Sequence, residues 1–271
     1  MNGSPGRPDD MEALRLCPPA RLAPLHGLLT DIDDTLTAAG RIEPVALAAL
    51  QRLQAAGVPV VAITGRPVGW SEAFAMVWPV AAIVAENGAV MLRRRGEQLQ
   101  RDFAEPDAAL RQANYARLQA CAADVLARVP RSRLSTDSAG RMTDIAIDHS
   151  EFAHLSVAQI EAVLAVMREH GLRATVSSIH INGWLGAHDK WTAARWAVQV
   201  ALQRPFIPGE WLYVGDSSND EQMFERMPLS VAVANIARFV PQMRHLPSYV
   251  TEAERGEGFA EVADRLLAAQ K

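Results

Sequence analysis

The order of apolar and polar residues along the chain sets out its elements before any single residue is considered. A short apolar run beginning at Leu25 ends in carboxylates at Asp31, and a second run, Val58 to Ile63, ends in Thr-Gly. Runs of this length with polar tips predict strands buried on both faces. Between them Pro44 suits a first helical turn, Leu47, Leu50 and Leu53 recur at helical spacing, and Gly57 sits where a C-terminal cap belongs. The three segments therefore form a βαβ unit. A helix over 68–77, a strand over 80–85 and, late in the chain, strands over 211–214 and 229–234 around another helix continue the alternation. Such alternation predicts an α/β fold: a doubly wound parallel sheet with helices on both faces.

The middle of the chain breaks this rhythm. A helical stretch over 107–128, a strand over 142–148, a helix over 157–170 and a strand over 172–181 read as an inserted α+β domain. Its expected span is 89–186, bounded by the turn pairs Asn87-Gly88 and Asn182-Gly183, which leaves 25–88 and 187–271 for the core. Residues 1–24, opening on the polar MNGSPGRPDD, are expected to form a loose arm.

Length and charge narrow the field further. A chain of 271 residues has room for two domains and needs no disulfide or metal to fold. With 27 basic and 31 acidic residues and a formal charge of −4, it is not expected to bind nucleic acid. Cys17 and Cys121 stand far apart with no CxxC spacing, so both read as reduced thiols. No apolar run approaches the roughly 18–20 residues of a membrane helix, and no signal-peptide pattern opens the chain. A cytoplasmic protein is expected. No heptad or apolar stripe points to an oligomer.

The candidate chemistry begins at Asp31-Ile32-Asp33-Asp34-Thr35-Leu36-Thr37, directly after the first strand. Carboxylates this close repel one another and need a compensating cation, so a bound metal is the economical reading, with a solvated acidic turn as the alternative. In extended geometry residues i and i+2 share a side, which would set Asp31 and Asp33 together on one side of a crevice. Gly215-Asp216-Ser217-Ser218-Asn219-Asp220 repeats the strand, turn and carboxylate arrangement, although alone it reads equally as an Asx-type turn with a helix cap. Both clusters then fall at carboxyl ends of strands, where open α/β sheets hold ligands. Hard oxygen donors with open positions suit Mg²⁺, completed by waters and a substrate phosphate. Thr64-Gly65-Arg66-Pro67 offers a hydroxyl and backbone N–H groups for a phosphate, although helix capping is the commoner reason for such a threonine. Lys190 opens a helix, where the dipole disfavours a cation; it is either drawn there by anions or simply solvated.

The segments DIDDTLT, ITGRP, DK and GDSSND, in that order, resemble the haloacid dehalogenase superfamily of phosphohydrolases over nearly the whole chain from Leu25. The 126 residues between Thr64 and Lys190 and the strand-bearing insert are similar to members whose type II cap lies between the second and third motifs. Glu86-Asn87-Gly88-Ala89 resembles a segment of the IIB branch, that of the sucrose-phosphate and mannosyl-phosphoglycerate phosphatases. The resemblance implies a Rossmann-like core with a C2 cap, and Mg²⁺-dependent hydrolysis of small phosphomonoesters, sugar phosphates first, through an aspartyl-phosphate. It makes Asp31 the nucleophile and Asp33 the acid and base. Thr64 would hold the phosphoryl oxygens and Lys190 would neutralise charge. The metal would be held by Asp31, the Asp33 main-chain carbonyl and Asp216, with Asn219 and Asp220 orienting this shell, Asp220 directly or through water. Expected substrate contacts are Thr64, Gly65, Arg66, Asn87 and Lys190.

From the insert, His180 and Asn182 share one face if extended and could reach a sugar, against the plainer reading of a polar strand edge. His188 reads as a solvated loop residue, Arg93, Arg94, Arg95 and Arg101 as a solvated basic face, and Trp70, Trp78, Trp191 and Trp196 as packing. Asp34 and Ser217 stand where the family often has glycine, as does Trp191, which could reshape the mouth of the site. A phosphomutase or a non-catalytic phospho-metabolite sensor would use the same scaffold. A signalling receiver domain is disfavoured by the D-x-D pair, the second carboxylate cluster and the insert.

Overall fold

The computed structural model describes residues 11–271. In chain order the strands are β1 (Glu12–Ala13), β2 (Gly27–Thr30), β3 (Thr37–Ala38), β4 (Arg41–Ile42), β5 (Val60–Ile63), β6 (Ala82–Ala85), β7 (Val90–Arg95) and β8 (Gln98–Phe103). They continue with β9 (Asp144–Asp148), β10 (Arg173–Val176), β11 (His180–Trp184), β12 (Trp211–Gly215), β13 (Ser230–Ala232) and β14 (Tyr249–Val250). The helices are α1 (Pro19–Leu22), α2 (Pro44–Ala55), α3 (Val68–Ala75), α4 (Ala108–Arg128), α5 (Val157–Glu169), α6 (Lys190–Ala201), α7 (Glu221–Arg226) and α8 (Arg255–Ala269).

Nine strands form one sheet in the order β1-β14-β13-β12-β2-β5-β6-β7-β8. All neighbours from β1 to β6 are parallel, and β7 and β8 close the edge antiparallel. The apolar strands have no polar alternation because both faces are covered: Leu28, Val60 and Ala62 pack with α2, α3 and α8, and Leu29, Val61 and Ile63 pack with α6 and α7. The expected doubly wound α/β core is therefore present. Its first strand, β2, lies between β5 and β12, the point where the winding reverses and the carboxyl ends open a crevice.

The hairpin β7-β8 falls within the 89–186 stretch expected as insert, and it extends the core sheet. The chain leaves that sheet after Phe103 and rejoins the core at α6. The segment between is a cap of three antiparallel strands, ordered β10-β11-β9, with α4 and α5 packed on one face. Ile145, Ile147 and Ile181 meet Leu118, Val125, Val163 and Met167 on that side. By the period of two, Asp144, Asp148, His180 and Asn182 occupy the opposite face, and all are buried.

Three expectations differ from the structure. The single strand over 172–181 is a hairpin, because the Ser177 hydroxyl accepts from the N–H of Ile179 and His180 and folds the chain back. Asn182-Gly183 is strand rather than turn; a Cβ on Gly183 would lie 2.8 Å from Met167 Sδ, so the glycine admits α5. Residues 1–10 of the expected arm lie outside the described residues, but from Met11 onward the chain is packed. There β1 pairs with β14, and Leu14, Cys17 and Leu22 are buried with Phe259 and Leu266 of α8. Apolar side chains at these spacings find a groove that the polar opening gave no hint of. Among the described residues no helix is long and apolar enough to cross a membrane. Both cysteines are free and buried, and burial pushes the Cys121 thiol up to about 11.

A Cβ on Gly27, at the start of the central strand, would lie 2.5 Å from Pro59 O and 2.7 Å from the Trp211 ring. Gly27→Ala is expected to lower stability by about 1–3 kcal/mol through overpacking, read as a shifted midpoint of chemical denaturation.

Candidate active site

The carboxyl ends of β2, β5 and β12 bring together the groups singled out in the sequence. β2 ends at Thr30, and Asp31 N donates to Val214 O at 2.9 Å, so the first carboxylate still follows the line of the sheet. Asp31 Oδ1 lies 2.9 Å from Lys190 Nζ, which also donates to Asp220 Oδ1 at 2.6 Å and Asn219 Oδ1 at 3.2 Å. Lys190 is the first residue of α6, whose N-terminus is closed by a capping box between Asp189 and Thr192. Gly88 makes this placement possible: at φ 114° it lies against α6, and a Cβ there would sit 2.7 Å from Asp189 O.

Asp220 is saturated. Its Oδ2 accepts from the N–H of Asp216 at 2.9 Å and Ser217 at 3.1 Å, and its Oδ1 also accepts from the buried Tyr213 hydroxyl. Asp216 is different: its Oδ2 accepts from Asn235 Nδ2 at 3.0 Å, and its buried Oδ1 has no partner. One oxygen each from Asp31, Asp216 and Asp220 lies within 4.8 Å of the others. Burial pushes the Asp31 carboxyl up to about 7, with Lys190 pulling down and Asp220 and Asp33 pushing up. Burial, Asp31 and Asp220 drive Asp216 well above the usual carboxylate range. Lys190 keeps its proton because Asp220 and Asp31 outweigh the burial that opposes its charge. Three buried carboxylates against one ammonium, with an unpartnered oxygen, form a donor set that fits a hard divalent cation.

Asp33 points elsewhere. Ile32 O accepts from the N–H of Thr35, Leu36 and Thr37, so residues 31–36 turn rather than extend. Asp33 consequently faces Arg66, whose Nε donates to its two oxygens at 2.9 and 3.1 Å. The extended geometry expected for the pair Asp31 and Asp33 is thus replaced by a turn that sends them to different partners. Asp34 adopts φ 53°, which explains the glycine common there, and is clasped by Arg238 at 2.9 Å and Arg255 at 3.0 Å.

The phosphate-type loop is fixed from both domains. The Thr64 hydroxyl accepts from Arg66 N at 3.0 Å. Gly65 leaves room for Asn87 and Asn182, whose side-chain oxygens would lie 3.3 and 3.2 Å from a Cβ there. Gly65 O accepts from Arg141 at 3.0 Å and Asn182 Nδ2 at 3.2 Å, both from the cap. Glu86, buried at φ 51°, accepts from Val68 N in the core and from the N–H of Met142 and Thr143 in the cap. Arg141 in turn holds Asp144 at 2.8 Å and Asp137 at 3.2 Å. Burial, with Glu86 nearby, raises the Asp144 carboxyl to about 7 even though Arg141 draws it down.

His180 is not open to solvent; its Nε2 lies 2.9 Å from Glu151 Oε2. Trp191 packs against Phe206 at 5.3 Å and Arg226 at 5.6 Å and lines neither of the clefts beside the carboxylates. Of the basic run, Arg93 pairs with Asp102 and Arg101 with Glu72. Tyr213, Asn235, Arg141, Asp137 and Glu151 were not singled out from sequence. Tyr213 left a signal, a hydroxyl within a strand buried on both faces that must find a partner. The cap carboxylates left none, since their partners lie far away in the chain.

Two clefts flank the carboxylates. One of about 340 Å³ opens beside Asp33, lined by Arg66, Ser150, Glu151, Phe152, Arg238 and Arg255 among others. A larger one of about 470 Å³ reaches Lys190 and Asn219 from the other side.

Residues 28–128 match the haloacid dehalogenase-like hydrolase family. The chain is 26% identical over 248 residues to a phosphoglycolate phosphatase of Methanothermobacter thermautotrophicus, covering 90% of this chain and 99% of that one. It is 28% identical over 257 residues to a phosphoglycolate phosphatase of Methanothrix thermoacetophila, covering 90% and 98%. In fold it is similar to the solved Thermoplasma acidophilum 0175 protein, with a TM-score of 0.70 at 16% identity over 90% of this chain and 98% of that one. The sucrose-phosphatase of Synechocystis sp. PCC6803, solved with sucrose and phosphate, gives a TM-score of 0.64 at 16% identity over 89% and 98%. The family match over 28–128, the aligned relatives and the fold with its inserted cap all agree with the resemblance read from the motif order.

Two outcomes follow from the geometry. A Cβ on Gly215 would collide with the Asp220 carboxylate, so Gly215→Ala is expected to displace Asp220 from Lys190 and cut kcat by about tenfold or more while the fold persists, measured by steady-state kinetics beside circular dichroism. Burial opposes ionisation of Asp137, but Arg141, Ser135, His180 and Arg66 together hold its carboxyl down at about 2. A carboxyl depressed in the folded state stabilises above its unfolded value, and this gain is lost as pH falls through the folded value. Wild type is therefore expected to exceed Asp137→Asn by about 2 kcal/mol above pH 4, the gap closing towards pH 2 in denaturant titrations.

Proposed function

We propose that this protein is a Mg²⁺-dependent phosphatase of small phosphomonoesters that works through an aspartyl-phosphate on Asp31. The observation that carries this reading is the Lys190 ammonium held between Asp31 and Asp220, beside the unpartnered oxygen of Asp216. A carboxylate and a phosphate dianion repel, so the nucleophile needs cations beside it before it can attack. Lys190 meets part of that need. Asp31, the Asp33 main-chain carbonyl and Asp216 would hold Mg²⁺, with Asn219 and Asp220 orienting the shell. Bound there, Mg²⁺ would supply charge neutralisation between nucleophile and phosphoryl group.

The remaining steps belong to the side chains. An Asp31 oxygen bonds to phosphorus as the bond to the leaving oxygen breaks, and Asp33 gives that oxygen its proton. Water then attacks the phosphorus, Asp33 takes up the water's proton, and orthophosphate leaves with Asp31 restored. Thr64 and the amides of its loop hold the transferring oxygens through both steps. Gly65, Arg66 and Asn87 line this loop, and His180 and Asn182 present the cap. We assign the core to 11–103 and 187–271, which takes in the packed arm and the hairpin β7-β8, and the cap to 104–186. The protein would act in the cytoplasm.

For the substrate, a cleft of about 340 Å³ lined by hydroxyl, carboxylate and guanidinium groups suits a small polar metabolite, and sugar phosphates are the first candidates. The phosphoglycolate phosphatases that align over nine-tenths of this chain favour a second candidate, a phosphorylated hydroxy acid.

Phosphate release from a panel of sugar phosphates, 2-phosphoglycolate and an aryl phosphate tests the reading. Release is expected to require Mg²⁺ and to fall by roughly 10³-fold or more in Asp31→Asn, as removal of a nucleophile does. Transfer of the phosphoryl group to a second sugar hydroxyl without free phosphate would point instead to a mutase. No turnover by a folded, Mg²⁺-binding protein would point to a sensor.

A further inference from the structure

Arg66 ties together more than its own loop. Its side chain is 5% exposed, and each edge of the guanidinium meets a different carboxylate: Nε meets Asp33, one terminal nitrogen meets Asp137 at 3.1 Å and the other meets Glu151 at 3.1 Å. Asp33 belongs to the core, whereas Asp137 and Glu151 belong to the cap and arrive from opposite ends of β9. Each cap carboxylate is itself held. Asp137 accepts from the Ser135 hydroxyl at 2.6 Å and from Arg141 at 3.2 Å. Glu151 sits on a loop shaped by the buried Asp148 carboxylate, which accepts from the N–H of Glu151, Phe152 and Ala153, and its other oxygen meets His180. The Trp70 ring backs the guanidinium at 5.3 Å.

A guanidinium is a rigid plane, so fixing two of its nitrogens fixes the third. Opening the cap removes both terminal partners and leaves a long side chain to turn about its bonds. We infer that Arg66 is a positioning residue that couples cap closure to Asp33: when Asp137 and Glu151 hold the two terminal nitrogens, Nε holds the Asp33 carboxyl where it serves the leaving-group oxygen. The inference rests on the assignment of Asp33 as the acid in the proposed reaction. It makes protonation of the leaving group conditional on the cap being shut, the state in which water is excluded from the first transfer.

A merely structural role would lower all turnover alike, whereas misplaced acid help is felt in proportion to how poor the leaving group is. The test is a series of substituted phenyl phosphates, similar in shape but graded in leaving-group pKa, with kcat/KM as the readout. That ratio reports steps up to departure of the leaving group and omits the shared hydrolysis of the aspartyl-phosphate. A positioned acid contributes about 10²–10⁴-fold, so the Asp137→Asn, Glu151→Gln double variant is expected to lose about tenfold on the poorest leaving group and about twofold on the best, steepening the slope against leaving-group pKa. Arg66→Lys, which keeps the charge but not the fork, is expected to steepen it in the same direction. Parallel losses across the series in both folded variants, with the wild-type slope unchanged, would overturn the coupling. Asp33→Asn separates the two levels of the proposal: it is expected to give the steepest slope, and an unchanged slope there would overturn the acid assignment together with the coupling, whatever the cap variants do.

Discussion

Negative charge gathered in a buried place governs this molecule. Asp31, Asp216 and Asp220 meet at the ends of two neighbouring parallel strands, β2 and β12, out of reach of water that would screen them, and most of the surrounding architecture is a response. Lys190 is placed at the start of a helix, the end least hospitable to a cation, because the carboxylates outweigh the dipole. Asp220 is absorbed by backbone N–H groups, an ammonium and a phenol, which leaves Asp31 and Asp216 as the pair with spare oxygens. The site is therefore graded: one carboxylate is fully held by its neighbours, and two keep oxygens free.

The cap uses the same electrostatics with the signs exchanged. Here buried arginines, Arg66 and Arg141, are surrounded by carboxylates from both domains, and the phosphate-type loop is gripped through its main-chain carbonyl as well as its side chains. The cap sheet is amphipathic in an uncommon sense, with isoleucines turned to its own helices and Asp144, Asp148, His180 and Asn182 turned to the core. A polar face can be buried in this way only where partners satisfy it: Gly65 and Asn87 of the core loops meet Asn182 and Asp144, while Arg141, Glu151 and the 151–153 amides of the cap itself hold Asp144, His180 and Asp148.

Much of this was legible in the chain. Strands buried on both faces show as unbroken runs of Val, Ile and Leu, so β2, β5, β6 and β12 stood out, and the carboxylates at their tips marked the site with them. Thr64 and Asp216 were found because each follows such a run, and Lys190 because it opens a helix, where a cation is out of place. What escaped was set by distant partners. The polar cap strands hid the turn at Ser177, whose hydroxyl decides the hairpin, and Gly183 passed for a turn residue because Met167 and Leu172, packed against it in the fold, show why a side chain is excluded. Arg66 was visible as a neighbour of the phosphate motif, but its bonds span 33 residues to Asp33, 71 to Asp137 and 85 to Glu151. No local period carries that information.

The clasp on Asp34 has a bearing on how the protein comes into being. Asp34 stands three residues after Asp31, yet one of its braces, Arg255, is 221 positions away at the start of the last helix. During synthesis the Asp31–Asp34 loop emerges early and must wait for nearly the entire chain before Asn235, Arg238 and Arg255 arrive to hold it. A growing or truncated chain can thus own every residue of the first two motifs and still lack the braces that order the Asp34 turn.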